Sequence, residues 1–280
     1  MNLIVKITSI VIILALFTLP GLGGGKEGAG KDGNRVGMKL VVVDPGHGGV
    51  DSGAVGPDGL LEKNVTLKVA LIVKALLEKN LGVNVAITRN GDYYVSLEER
   101  TAMANNLGAD LFVSIHANAA PRGGWGFETY FLSAQASDDE ARLTALMENY
   151  PQEYEGMLGD ISPKTLNDLE GILWDLTQTE HLRESELLAT FIQDSLATTL
   201  KNPNRGVKQA PFFVLAGATM PAVLVEIGFI SNRSEGKHLA DSKMQEKIAK
   251  AICTGVTDFT KLYLKRNGKM EAKVIQKGSP

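Results

Sequence analysis

Short apolar runs alternate with segments of helical periodicity along most of this chain, and that alternation limits its fold more than any other feature. "KLVVVD", from Lys39, has the composition of a buried strand. "EKNVTLKVALIVKALLEKN" places Val65, Val69, Ile72 and Leu76 on one helical face, and Gly82 follows its end. "VNVAIT" reads as a strand. "SLEERTAMANNLG" opens with Ser96 and Glu99 in capping-box spacing and closes at Gly108. "ADLFVSIHA", "WGFETYFLS", "FFVL" and "AVLVEI" read as further strands, and a last helix runs from Lys243 to Leu264. Strands interleaved with helices bury best as a sheet covered on its faces. The expected class is therefore α/β: a mixed, mostly parallel twisted sheet flanked by helices, in a single domain over residues 39–264. The length of 280 residues and the 44% hydrophobic content support such a core without disulfides, and the single Cys253 is expected inside it.

The flanks have a different character. Residues 1–25 combine Lys6 with an apolar run from Ile7 to Leu19, then Pro20 and glycines, the pattern of a signal peptide or N-terminal anchor. An exported protein is expected, touching a membrane only through that segment if it stays uncleaved. The glycine- and lysine-rich stretch that follows, to residue 38, reads as a flexible linker. Gly23, Gly25 and Gly28 match a dinucleotide-binding spacing, but no strand precedes them and no helix follows, so that reading is excluded. Residues 265–280 form a basic tail with no expected structure. A net charge of −3 argues against nucleic acid as a partner.

Charge is unevenly spread. Residues 137–186 hold thirteen Asp or Glu and three Lys or Arg, a net of −10 within a chain of −3. This acidic helical insertion is either a solvated face or a lid over a basic or metal-bearing cleft.

The chain has four histidines. His47 ends the strand "LVVVDPGH" and His116 ends "DLFVSIH", and ligands of open α/β sheets bind beyond the carboxyl ends of strands. Glu62 opens the next helix, and the glycine-rich loop "GGVDSGAVGPDGLL" is long enough to return it to His47. His, Glu and His form a set used in catalytic zinc sites that keep one position for water. Glu226 interrupts the apolar "AVLVEIGF" at a third strand end. It is either the base for that water or a structural carboxylate paired with Arg89 or Arg100. Asp44 either orients His47 or shapes the turn, and Asn118 is a candidate cleft residue. Trp125 and Tyr130 read as sheet or core residues.

"DPGHGGVDSGAVGPDGLLEKNVTLKVA", "ITRNGDYYVSLEERTAMANNLGADLFVSIHANA" and "PAVLVEIGFISN" together resemble the zinc-dependent N-acetylmuramoyl-L-alanine amidases, the family-3 catalytic domain of bacterial cell-wall hydrolases. The resemblance covers residues 39 to 263 apart from the insertion. It implies that His47, Glu62 and His116 hold one zinc ion per chain and that Glu226 is catalytic. It also implies a peptidoglycan substrate and a periplasmic or cell-wall location. "LMENYPQEYEGMLGD" and "LWDLTQT" resemble an insertion in some relatives whose helix occludes the zinc until an activator protein binds. On that resemblance Glu148, Glu153 or Glu155 competes with substrate for zinc. Two other readings remain. A zinc carboxypeptidase would need an arginine clamp, from Arg89 or Arg122, and a metal-free wall-binding module would need no base.

Overall fold

The computed structural model describes residues 37–120, 124–150 and 181–277, with side chains as far as residue 266. Six strands form one sheet: β1 (Leu40–Pro45), β2 (Asn84–Ile87), β3 (Leu111–Asn118), β4 (Phe127–Leu132), β5 (Asn204–Ala210) and β6 (Ala222–Phe229). Their order is β2-β1-β3-β6-β4-β5. Pairing is parallel throughout except between β4 and β6. This is the mixed, mostly parallel α/β sheet expected from the alternation.

Among the described residues six α-helices accompany it: α1 (Glu62–Leu81), α2 (Leu97–Leu107), α3 (Asp139–Asn149), α4 (Leu182–Thr199), α5 (Arg233–Ala240) and α6 (Ser242–Lys277). One face of the sheet packs Val69 and Val73 of α1, Leu188 and Ile192 of α4, and Ile252 and Phe259 of α6, with Cys253 buried among them. Each fully buried side chain of this size contributes about 1.5–3 kcal/mol. The other face packs Ala104 of α2 and Ala141 and Ala145 of α3 against Phe112, Tyr130 and Phe212. Ser96 and Glu99 form the capping box of α2, and Gly108 closes that helix in the left-handed region with φ 63°.

Several elements differ from the reading of the sequence. The buried face of α1 centres on Val65, Val69, Val73 and Leu77, with Ile72 and Leu76 only partly covered. "FFVL" holds a single 3-10 turn, Phe213–Leu215, packed under α2 rather than in the sheet. The polar run "NRGVKQA" supplies β5 instead. The last helix runs on through the basic tail to Lys277, a stretch rich in Lys, Met, Glu and Ala, which are good helix formers. Of the acidic insertion, α3 and the start of α4 are described. Ser185 of α4 is buried and accepts a hydrogen bond from the Ala222 amide, so this end of the range belongs to the core. Residues 1–36 and the remainder of the insertion lie outside the described residues. None of the described helices is long and apolar enough to cross a membrane.

Candidate metal centre

The turn after β1 is pinned by two buried arginines. Arg89 donates to the carbonyls of Pro45 and Gly46, and Arg100 donates to the carbonyls of Pro45 and His47. His47 is held with φ 59°, a left-handed conformation rare for a residue with a side chain. Gly46 is required by space: a Cβ there would lie 2.3 Å from the His116 ring. Asp44, fully buried, accepts from Thr88 Oγ1, Ser114 Oγ and Arg100, and so anchors β1 to its neighbours. It makes no hydrogen bond to His47. That role falls to Asp51, whose carboxylate meets His47 Nδ1 at 2.9 Å and leaves Nε2 to face the site.

Glu62 does return to the strand edge. The loop between β1 and α1 folds back so that the Ala54 amide donates to Glu62 Oε2 at 2.9 Å and the Ala117 amide to Oε1 at 2.8 Å. Its carboxylate then lies 3.1 Å from His47 Nε2 and 3.2 Å from His116 Nδ1. Glu148 reaches in from α3, with Oε2 3.2 Å from His47 Nε2 and 2.6 Å from His116 Nδ1. One ligand atom from each of His47, Glu62, His116 and Glu148 lies within 4.8 Å of the others, and all four residues are buried.

These residues fit a metal ion. His47 Nε2, His116 Nδ1 and Glu148 Oε2 are buried atoms with no hydrogen-bond partner, although each points at the others. Ligands about 2.0–2.1 Å from a tetrahedral ion lie roughly 3.3 Å apart, close to most of these separations. Electrostatics agree. Burial alone would push both imidazoles toward neutrality. Glu62, Glu148 and Asp51 instead hold His47 well above its usual value, and Glu148 and Glu62 hold His116 at about 9. The cluster calls for positive charge, and a divalent cation supplies it.

Glu226 stands directly beside this cluster. It is the register partner of His116 on β3 and of Glu128 on β4, so the three side chains form one row on one sheet face. Glu226 is fully buried, and neither carboxylate oxygen has a hydrogen-bond partner. Burial first, then Glu148, Glu62 and Glu128, raise its pKa well above the ordinary value. Arg89 and Arg100 serve the turn and Asp44, so neither neutralises it. Asn118 is buried and donates to Glu128 at 2.9 Å. Trp125 is half exposed, whereas Tyr130 is buried with its hydroxyl on Glu128. Arg122, Glu153 and Glu155 lie outside the described residues. Sequence reasoning missed Asp51, Glu128, Arg205 and Lys208. The motif "GHGGVDSG" carries the only signal for Asp51.

Known proteins resemble this chain over most of its length. The family described as N-acetylmuramoyl-L-alanine amidase matches residues 41–258. N-acetylmuramoyl-L-alanine amidase AmiA of Escherichia coli (strain K12) is 36% identical over 243 residues, 85% of this chain and 80% of that protein. Among solved structures, amidase AmiC2 of Nostoc punctiforme superposes with a TM-score of 0.59 at 31% identity, covering 80% of this chain and 98% of its own. The CwlD amidase of Clostridioides difficile, solved in complex with the GerS lipoprotein, gives 0.60 at 27% identity, covering 80% and 99%. With its sheet, its buried cluster and these matches taken together, the chain belongs to the N-acetylmuramoyl-L-alanine amidase family.

Proposed function

We propose that this protein hydrolyses the amide joining the lactyl group of N-acetylmuramic acid to L-alanine in peptidoglycan, with zinc as its metal. The observation that carries this reading is the buried set His47, Glu62, His116 and Glu148 beside an unpartnered Glu226. Two imidazoles with carboxylates suit zinc among the available divalent ions. Bound there, zinc would supply Lewis-acid chemistry, polarising the amide carbonyl and lowering the pKa of a water.

The protein's own residues do the rest. Asp51 fixes the ring of His47, and the amides of Ala54 and Ala117 fix Glu62. Glu226, buried beside the cluster with no other partner, takes the proton from the attacking water as the carbon–oxygen bond forms. It returns that proton to the alanine nitrogen as the carbon–nitrogen bond breaks. A metal-free binding module would have no use for such a carboxylate. The carboxypeptidase reading loses Arg89, which is fully buried against backbone carbonyls.

Glu148 takes a ligand position that substrate or water needs, so α3 acts as an internal inhibitor. A protein activator that draws α3 away fits this arrangement, and the CwlD–GerS complex gives a relative that binds a protein partner. The substrate lies outside the cytoplasmic membrane, which agrees with export through the N-terminal segment. The test is incubation with purified peptidoglycan, with and without chelator. New alanine N-termini without new reducing ends, lost on chelation, are expected. New reducing ends, or release of single C-terminal amino acids, would refute the reading.

A further inference from the structure

A second charged cluster on the same sheet face plays no part in the reaction as described so far. Glu128, opposite Glu226 in the β4–β6 ladder, is fully buried with both oxygens engaged. Oε1 accepts from Asn118 at 2.9 Å and from the Tyr130 hydroxyl at 2.7 Å. Oε2 meets Arg205 Nε at 2.9 Å and Lys208 Nζ at 3.0 Å. β5 thus brings two cations to one buried carboxylate. The surplus charge is met from α3: Arg205 pairs with Glu140 at 2.6 Å, and Lys208 lies 3.3 Å from Asp138.

The backbone is shaped to put both cations together. Side chains alternate faces along a strand, so Arg205 and Lys208, three apart, would face opposite ways in a regular β5. The β4–β5 register instead runs from Phe127↔Asn204 to Thr129↔Val207, two residues against three. Gly206, with φ 87°, sits in that extra step. Such a bulge re-aims a side chain, and here it lets Arg205 reach Glu128 beside Lys208. The guanidinium carbon also lies 5.0 Å from the centre of the Phe229 ring, within cation–π range.

The helix that covers this pair with Asp138 and Glu140 is the one that brings Glu148 to the metal centre. Moved away, it would uncover Arg205 and Lys208 along the same row as Glu226. We infer that Arg205 and Lys208 form a carboxylate-binding subsite for the peptide part of the substrate, filled in this structure by the acids of α3. The inference rests on the amidase reading, which places a peptide next to the scissile amide. An arginine fork and a neighbouring ammonium suit a free carboxylate within a residue or two of that bond.

Two muramyl peptides test it, identical except that the residue after alanine bears a free α-carboxylate in one and a carboxamide in the other. The full, zinc-loaded chain is compared with Asp138→Asn/Glu140→Gln, which keeps both cations and removes their covers. kcat/KM should favour the carboxylate substrate by about tenfold or more. The preference should widen in the double variant. Arg205→Gln should abolish it by raising KM for the carboxylate substrate alone. Because Arg205 also serves Glu128, thermal melting must show that variant folded, and Arg205→Lys should keep part of the preference. An undiminished preference in folded Arg205→Gln, or none in the double variant, overturns the subsite. Turnover of the carboxamide substrate reports on the amidase reading separately. Should neither substrate be cleaved, calorimetric binding of both peptides to the double variant still decides. Tighter binding of the carboxylate peptide, lost with Arg205→Gln, supports the subsite, and equal binding refutes it.

Discussion

His116 and Glu226 are register partners on the parallel strands β3 and β6, so an imidazole of the candidate metal centre and an unpartnered carboxylate stand side by side on one sheet face. The sheet, rather than a loop, fixes their separation. Glu226→Gln keeps the shape and removes the carboxylate proposed as the base. Turnover should fall by roughly a hundred- to ten-thousandfold. One metal ion should remain bound, and the melting temperature should hold or rise, because a buried carboxylate without a partner is costly. Peptidoglycan digestion, metal analysis and a thermal melt on one sample check all three. A variant that kept its activity would remove Glu226 from the chemistry.

The metal should compete with protons. Without an ion, the neighbouring carboxylates hold His116 protonated up to about 9 and His47 well above its usual value. Both rings must lose those protons to bind metal, so uptake at pH 7 should release protons, and affinity should rise with pH toward about 9. Calorimetry in two buffers of different ionisation heat measures the release. Chelation should also lower the melting temperature, since an ion at a hundredfold excess over its Kd stabilises by about 2.7 kcal/mol. Metal uptake without proton release would contradict this electrostatic account.

The sequence made part of the site legible and hid the rest for physical reasons. His116 and Glu226 lie within β3 and β6 rather than at their ends, His47 just past β1 and Glu62 at the first residue of α1, so the strand and helix patterns bring them to one region without fixing their exact positions. The partner of His47 was not legible in the same way. His47 adopts φ 59°, so the chain reverses and brings Asp51 within reach, while Asp44 turns to Arg100. Nor could spacing show that Arg89 and Arg100 are taken up by carbonyls of the turn and so leave Glu226 alone. β5 was hidden because "NRGVKQA" lacks an apolar run, and its bulge at Gly206 breaks the alternation that would reveal which face Arg205 takes.

Glu148 distinguishes an inhibitor from a resident ligand. If α3 blocks the site, Glu148→Ala leaves His47, Glu62 and His116, enough for a catalytic zinc site with an open position. Activity on peptidoglycan should then rise, by about tenfold for each 1.4 kcal/mol of inhibitory contact removed. Metal content should stay at one ion per chain. Loss of both metal and activity would instead make Glu148 part of the working centre.

Asp44 and Arg100 tie the turn to the sheet, and their pairing has a defined pH window. Burial pushes the Asp44 carboxyl up, but Arg100 and the hydroxyls of Ser114 and Thr88 outweigh it and hold the group below its ordinary value. A depressed folded pKa means stability that is fully present above the unfolded value of about 3.9 and is lost as pH falls through the lower folded value. Asp44→Asn leaves Arg100 buried without its anion and should cost about 3–5 kcal/mol at pH 7. Urea denaturation at pH 7 and at stepwise lower pH measures the gap between wild type and variant, which should narrow as the wild-type carboxylate protonates. Because Arg100 also holds the His47 carbonyl at 2.9 Å, the same variant should bind metal more weakly. A gap below about 1 kcal/mol at pH 7 would put Asp44–Arg100 in the class of ordinary surface pairs and remove it as the anchor of the turn.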